Sequence, residues 1–463
     1  MKNMARISIC LNYIILLSFL YGCQTIQDTH LAEDPSSRMS ATERYNRGRS
    51  FIESELYDNA IEDFNEALKL DPYFAPAHNS LGIAWKKKEK FDLAIAEFGK
   101  AIALDPTFTE AYNNRGVTSY IMNDYDNAVE DFNSIIKQTN PVLASAYNSR
   151  GIIWKNKRDY AKAISDFDKA IEINPSYTAA FNSRGIAFRE QRQYQKAIDD
   201  FTSAIKINYY DEDAFINRGM TYFLTTDFDK AIDDYNNALK LNSHNAETLS
   251  SRGVAWFKKG DLRKSLQDFS QAIKMNPKLS KAYNSRGIIY FTLRKYQFAI
   301  TDFSKAIELE PHYINAFNNR GIAWRNMGEY QKAIADYTRT MEINPSDPEA
   351  YNSLAWILST CPDSKSRDGK RAVQLSTKAF LTRPDSFKLD TLAAAYAEIG
   401  NFKEAISTQE KSILLMSKSR VQNKKAMDEF HNHLESYKSG KPWRDFPKKE
   451  STDNSNKQGA KSQ

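Results

Sequence analysis

Small and apolar residues return along this chain in blocks of 34, and inside each block they fall three, four and seven apart, the spacing of one face of a helix. Gly48, Gly82, Gly116, Gly151, Gly185, Gly219, Gly253, Gly287 and Gly321 mark the blocks, with a single gap of 35. If that Gly is position 8, position 20 is small (Ala60, Ala94, Ala128, Ala163, Ala197, Ala231, Ser265, Ala299, Ala333). Position 24 is aromatic: Phe64, Phe98, Phe132, Phe167, Phe201, Tyr235, Phe269, Phe303, Tyr337. Ala at positions 3 and 10 and an aromatic at 11 share an arc with the Gly, so a first helix offers small and large residues to a second. Pro72, Pro106, Pro141, Pro175, Pro277, Pro311 and Pro345 then stop the second helix and turn the chain. Each block is a predicted helical hairpin that cannot bury its face alone, and a period of this size means a solenoid.

Two degenerate blocks follow. Ala350 to Pro384 opens as AYNSLAWIL and then lengthens its turn with CPDSKSRDG; from Leu389 a last block carries Ala393, Tyr396, Phe402 and Ala405 at positions 8, 11, 17 and 20. A final helix around Arg420 to Tyr437, with Val421, Met427, Phe430 and Leu434 at helical spacing, is expected to cover the last open face. These motifs, as in AYNSRGIIWKNKRDYAKAISDFDKAIEINP, resemble the tetratricopeptide repeat family from about Ala41 to Leu415. The resemblance implies an all-α, right-handed superhelical solenoid of about eleven hairpins with a C-terminal capping helix, acting by protein binding. The expected organisation is an export signal (1–22), a lipidated Cys and tether (23–40), nine regular repeats (41–348), two degenerate ones (349–416), a capping helix (417–446) and a disordered basic tail (447–463).

Composition changes this picture little. The formal charge is +6, but residues 411–463 alone hold twelve Lys and Arg against six Asp and Glu, so the repeats are net neutral. A nucleic-acid-binding surface would carry its positive charge on the folded part, and no nucleic acid is expected. With 3 Cys there is no disulfide framework.

The N-terminus adds a location. Lys2 and Arg6 precede an apolar run from Ile7 to Leu20, broken by Asn12, which ends in Leu20-Tyr21-Gly22-Cys23. A positive start, a short apolar stretch and a small residue before the cut describe an export signal. The run is shorter than the ~20 residues of a bilayer span. Leu-x-Gly-Cys resembles the bacterial lipobox, although Tyr21 stands where small or aliphatic residues are usual. That resemblance implies cleavage before Cys23, a lipid such as palmitate on Cys23 and, with Gln24 next, the outer membrane of a Gram-negative cell. An ordinary cleaved signal and an uncleaved anchor are the alternatives. Residues 24–40 are polar and read as a tether.

On the first helix of each repeat, positions 2, 5, 6, 9, 12 and 13 lie opposite the buried arc, and known repeats of this family turn that side toward a concave groove. Position 5 is Asn79, Asn113, Asn148, Asn182, Asn284, Asn318 and Asn352, and position 6 is Asn or Ser throughout. An Asn amide both donates and accepts, which suits the backbone of an extended peptide. The other reading is that these residues merely solvate the helix. Position 9 adds Ile83, Val117, Ile152, Ile186, Met220, Val254, Ile288 and Ile322, either an apolar line for a partner or packing between helices. Position 12 is Lys86, Lys155 and Arg189 early and Phe223, Phe257 and Phe291 later, which predicts a basic zone for acidic groups and an aromatic zone for apolar side chains.

Position 7, usually large and aliphatic in this family, is Arg47, Arg115, Arg150, Arg184, Arg218, Arg252, Arg286 and Arg320. In the same repeats position 23 is Asp63, Asp131, Asp166, Asp200, Asp234, Asp268, Asp302 and Asp336; with Leu81 it is Glu97, and with Leu354 the Asp is lost. Joint recurrence predicts a charge pair between the two helices, internal to the scaffold.

Catalytic chemistry is not indicated. The histidines are His30, His78, His244, His312, His431 and His433; the last two point apart on one helix, and Cys361 has no base near it in the sequence. There is no phosphate-binding Gly loop and no H-E-x-x-H. No cofactor or metal is expected. The expected function is an envelope scaffold binding extended segments of other proteins, with a glycan or cell-wall module and a regulatory subunit of an envelope enzyme as alternatives; the partner and oligomeric state are open.

Overall fold

The computed structural model describes residues 39–138, 143–419 and 423–447. Among the described residues are 23 α-helices and no strand. The chain divides into two compact parts, residues 1–139 and 140–463. In the first, three hairpins follow one another: α1 (Ala41–Glu53) with α2 (Tyr57–Leu70), α3 (Ala75–Lys87) with α4 (Phe91–Leu104), and α5 (Thr109–Ile121) with α6 (Tyr125–Gln138). In the second, eight hairpins stack in chain order. They are α7 (Ala144–Asn156) with α8 (Tyr160–Ile173), α9 (Thr178–Glu190) with α10 (Tyr194–Ile207), α11 (Glu212–Leu224) with α12 (Phe228–Leu241), and α13 (Ala246–Lys259) with α14 (Leu262–Met275). Next come α15 (Ser280–Thr292) with α16 (Tyr296–Leu309), α17 (Ile314–Met327) with α18 (Tyr330–Ile343), α19 (Pro348–Thr360) with α20 (Gly369–Thr382), and α21 (Ser386–Glu398) with α22 (Phe402–Ser417). The last helix, α23 (Lys424–Lys438), buries Phe430 and Leu434, with Met427 packed beside them against Met416 of α22. Cys23, the tether up to residue 38, Val421 and the tail from residue 448 lie outside the described residues.

Each hairpin is set by one close approach and one turn. At Gly151 a Cβ would stand 2.6 Å from Cε1 of Phe167, so only the bare Cα lets the ring lie on the first helix. The turn is made at position 15, where Arg192 holds φ 61, and the N–H of Gln193 donates back to the carbonyl of Phe188 at 2.8 Å, a Schellman closure. Gly fills that left-handed site at Gly260, Gly328 and Gly400, but Glu55, Glu89, Asn123, Arg158, Thr226 and Arg294 take it elsewhere. A β-branched residue suffers most there. Thr226, at φ 63, is therefore the best site for relief. Thr226→Gly is expected to stabilise the sixth repeat by about 1 kcal/mol, read as a higher denaturant midpoint at unchanged helicity; a lower midpoint would refute the strain.

Candidate functional site

The recurring arginines are fixed by forked contacts. Arg184 donates from Nε and Nη2 to Asp200 at 2.9 and 2.7 Å, and Arg115 with Asp131, Arg150 with Asp166, Arg218 with Asp234, Arg252 with Asp268, Arg286 with Asp302 and Arg320 with Asp336 follow the same pattern. Arg47 reaches Asp63 likewise. Six of these guanidinium groups lie over the aromatic ring three residues before them, Arg184 over Phe181 at 5.6 Å among them. In the repeat with Leu81, Glu97 is met instead by Nδ1 of His78 at 2.6 Å and by Lys100.

Sequence reasoning missed a third partner. Nη1 of each arginine from the fifth to the ninth repeat reaches position 25 of the preceding repeat: Asp168, Thr202, Asn236, Ser270 and Ser304. The arginine therefore ties two helices of its own repeat and staples that repeat to the one before. The signal was a small polar residue recurring at position 25.

The asparagines at position 5 differ among themselves. Asn79 is buried and fully used: its Nδ2 donates to Glu110 at 3.1 Å and its Oδ1 accepts from Asn114 at 3.0 Å, so the expectation of a free amide fails there. In the eighth repeat Oδ1 of Asn284 accepts from Asn319 at 3.0 Å, so that carbonyl is also spent on the next repeat. Asn113 is exposed. Asn182 donates from Nδ2 to Asp211 at 2.8 Å, and because a carboxylate only accepts, the other end of its amide is the carbonyl. That Oδ1, with those of Asn148, Asn318 and Asn352, is buried and meets no donor in the protein.

Position 12 is partly diverted as well. Lys86 and Lys155 are half-buried, and burial holds the Lys86 ammonium below its usual range. Arg189, expected to await an acidic group, instead donates to the side chain of Asn217 at 3.0 Å and to its carbonyl at 3.3 Å. Phe223 packs on Phe228 and Phe291 on Tyr296, each at 5.4 Å between centroids, while Phe257 joins the cluster around Leu249 and Phe269. These rings are half-buried against their neighbours. Ile152, Val254, Ile288 and Ile322 at position 9 pack in the same way, whereas Met220 is 43% exposed.

Among the described residues a cavity opens over this arc in each compact part. The first, of about 290 Å³, is lined by Tyr45, Arg49 and Ile52 of the first repeat and by Asn79, Ser80 and Ile83 of the second, with Phe108 and Glu110 beyond. The other, of about 340 Å³, has Asn352, Ser353 and Trp356 on one side and Asp390 and Thr391 on the next repeat. Asp390 is committed to the scaffold, accepting from Gln409 at 2.7 Å and lying 2.8 Å from Nδ1 of His433.

Among the described residues no group of three His, Cys, Asp or Glu is placed to hold a metal ion, and no helix is long and apolar enough to cross a membrane. Burial pushes the Cys361 thiol up, away from the thiolate a nucleophile needs.

Hairpins stacked face to face around small residues, with a polar arc on the first helix of each, define a helical-repeat solenoid of the kind that binds proteins. Tetratricopeptide repeat models match residues 144–177, 212–245, 280–313 and 314–347, and further ones match 45–107 and 109–139. Similar solved structures include yeast Tom70, 17% identical over 86% of this chain and 96% of that one with a TM-score of 0.41. MamA is 21% identical over 36% of this chain and 92% of its own, with a TM-score of 0.34. YrrB, described as a TPR protein with an unusual peptide-binding site, is 20% identical over 40% and 95%, with a TM-score of 0.34. No curated protein matches.

Proposed function

We propose that the arc of positions 2, 5, 6, 9, 12 and 13 binds an extended segment of another protein, and that the chain is a non-catalytic scaffold. The observation that carries this is the set of partnerless carbonyl oxygens on Asn148, Asn182, Asn318 and Asn352. A buried acceptor without a donor costs roughly 1–3 kcal/mol, so a recurring row of them is disfavoured unless something supplies the N–H groups. The backbone of an extended peptide supplies them whatever its side chains, and Lys155 nearby in sequence favours an acidic one. Affinity then comes from many small contacts.

Photo-crosslinking at position 149, followed by recovery of the crosslinked partner, tests this with Asn148→Leu and Asn182→Leu combined. Recovery should fall about tenfold or more in a chain that keeps its helicity, as expected when about 1.4 kcal/mol of binding is removed. Equal recovery removes the peptide reading, and capture of cell-wall fragments in place of protein supports a glycan module.

The same reading places the scaffold in the cell envelope, held at the outer membrane by a lipid on Cys23, on the strength of the Leu20-Tyr21-Gly22-Cys23 signal. Labelled palmitate should enter the wild-type chain and not Cys23→Ser; equal labelling of both rejects the anchor.

A further inference from the structure

The end of the described chain crosses the arc of the last three repeats. After α23, Gly440 turns the backbone at φ 69, and the N–H of Lys441 donates to the carbonyl of Ser436 at 3.0 Å. Residues 441–447 then run without regular secondary structure. The N–H of Asp445 donates to the carbonyl of Thr360 at 2.9 Å. Its carboxylate accepts from Nε1 of Trp356 at 3.1 Å and lies 3.7 Å from Nε of Arg325. Arg444 lies 2.7 Å from Glu398 and donates from Nη1 to the carbonyl of Ser359 at 3.2 Å. The Trp443 ring lies 4.5 Å from that of His433, tilted by 52°, and packs with Trp356 against Ala393, Ala394 and Ala397.

The residues that receive this segment are those of the arc: Arg325 at position 12 of the ninth repeat, Trp356, Ser359 and Thr360 at positions 9, 12 and 13 of the tenth, and Glu398 at position 13 of the eleventh. Recognition is by side chain as well as backbone, an indole, a guanidinium and a carboxylate each meeting a complementary group. Arg444 and Asp445 keep 25% and 29% of their side chains in solvent, so water partly screens their ion pairs. Beneath the segment the cavity of about 340 Å³ still opens onto Asn352 and Ser353, with Trp443 and Asp445 as part of its wall.

We propose that the trough of the last three repeats is a specific peptide site that the chain fills in cis with Lys441–Pro447, and that it accepts in trans an extended segment with the same order of groups, a bulky aromatic followed by Arg and Asp, by displacing its own. This site shares Asn318 and Asn352 with the asparagine row but does not rest on them, and it is separate from Asn148 and Asn182 of the fourth and fifth repeats.

The probe is a fluorescein-labelled synthetic peptide with the sequence SGKPWRDFPKKE, titrated by anisotropy into the full-length chain. A tethered ligand competes at an effective concentration near millimolar, so full-length Trp443→Ala, Arg444→Ala, Asp445→Ala combined should bind the peptide about tenfold or more tightly than wild type. A scrambled peptide should not bind, and Asn148→Leu with Asn182→Leu should leave the affinity unchanged. Equal binding by wild type and triple variant, or none by a triple variant of undiminished helicity, overturns the proposal. Should that variant unfold, hydrogen exchange on wild type decides. The Asp445 amide should exchange faster than amides within α19, and faster still with excess peptide; exchange as slow as in α19 and indifferent to peptide overturns it.

Discussion

Phe167→Ala is expected to lower the unfolding free energy by about 3–5 kcal/mol, read as a lower denaturant midpoint. The ring is fully buried in a cluster with Ala163 and Ala187, flanked by Ile152, Trp154 and Ile164, so its loss leaves a hole that rigid helices close only in part. The informative partner is Gly151. With the ring present, Gly151→Ala drives a Cβ to 2.6 Å from Phe167, and the overpacking costs about 1–3 kcal/mol. Without the ring the same methyl enters the hole, and the helix propensity of Ala over Gly, up to about 1 kcal/mol, is no longer masked. Gly151→Ala should therefore stabilise the Phe167→Ala chain while destabilising the wild type. Simple additivity in that double-mutant cycle would show that the recurring Gly serves something other than the ring. Repeats contact mainly their neighbours, and α8 and α7 pack on α9, so the damage should centre on the fourth and fifth.

Arg184→Ala should cost about 3 kcal/mol at neutral pH, less at mildly acidic pH, and the dependence on pH is the sharper test. Burial already pushes the Asp200 carboxyl above its ordinary range, against the pull of Arg184, and Asp168 shares the same guanidinium. Once the arginine is gone, nothing opposes that upward displacement. A carboxyl whose folded pKa lies above its unfolded one is penalised at pH values above both and recovers as it takes up a proton on acidification. The deficit of Arg184→Ala relative to wild type should thus shrink from pH 7.5 toward pH 5 as Asp200 protonates, and Asp200→Asn in the same chain should recover part of it at pH 7.5. Arg184→Lys should rescue poorly, because an ammonium cannot fork to Asp200 and reach Asp168 together. An unchanged melting temperature in Arg184→Ala would remove the arginines from the scaffold.

The hairpins were legible because their determinants are local and repeated. A bare Gly and an aromatic sixteen residues later, as in Gly151 and Phe167, reappear often enough to name a contact, and Arg184 with Asp200 sixteen apart reads the same way. The substitution of His78 for an arginine opposite Glu97 was not legible, since it happens once. Nor was the fate of the asparagines. Asn79 and Asn148 occupy the same position, yet one has both ends of its amide taken by Glu110 and Asn114 while the carbonyl of the other meets nothing. The difference lies in what the following repeat presents: the donor to the Asn79 carbonyl is Asn114, at position 6 of the third repeat, and position 6 of the fifth is the shorter Ser183.

The sequence by itself determined the period, the two helices of each repeat and the pairing of charges within it, because each depends on residues held at a constant separation in a rigid hairpin. Only the tertiary structure decided which amides are spent between repeats, that the arginines also grip the preceding repeat at position 25, and that Lys441–Pro447 returns across the ninth to eleventh. Those outcomes depend on rotamers and on the distance between surfaces far apart in the chain, and a residue pattern carries no record of either.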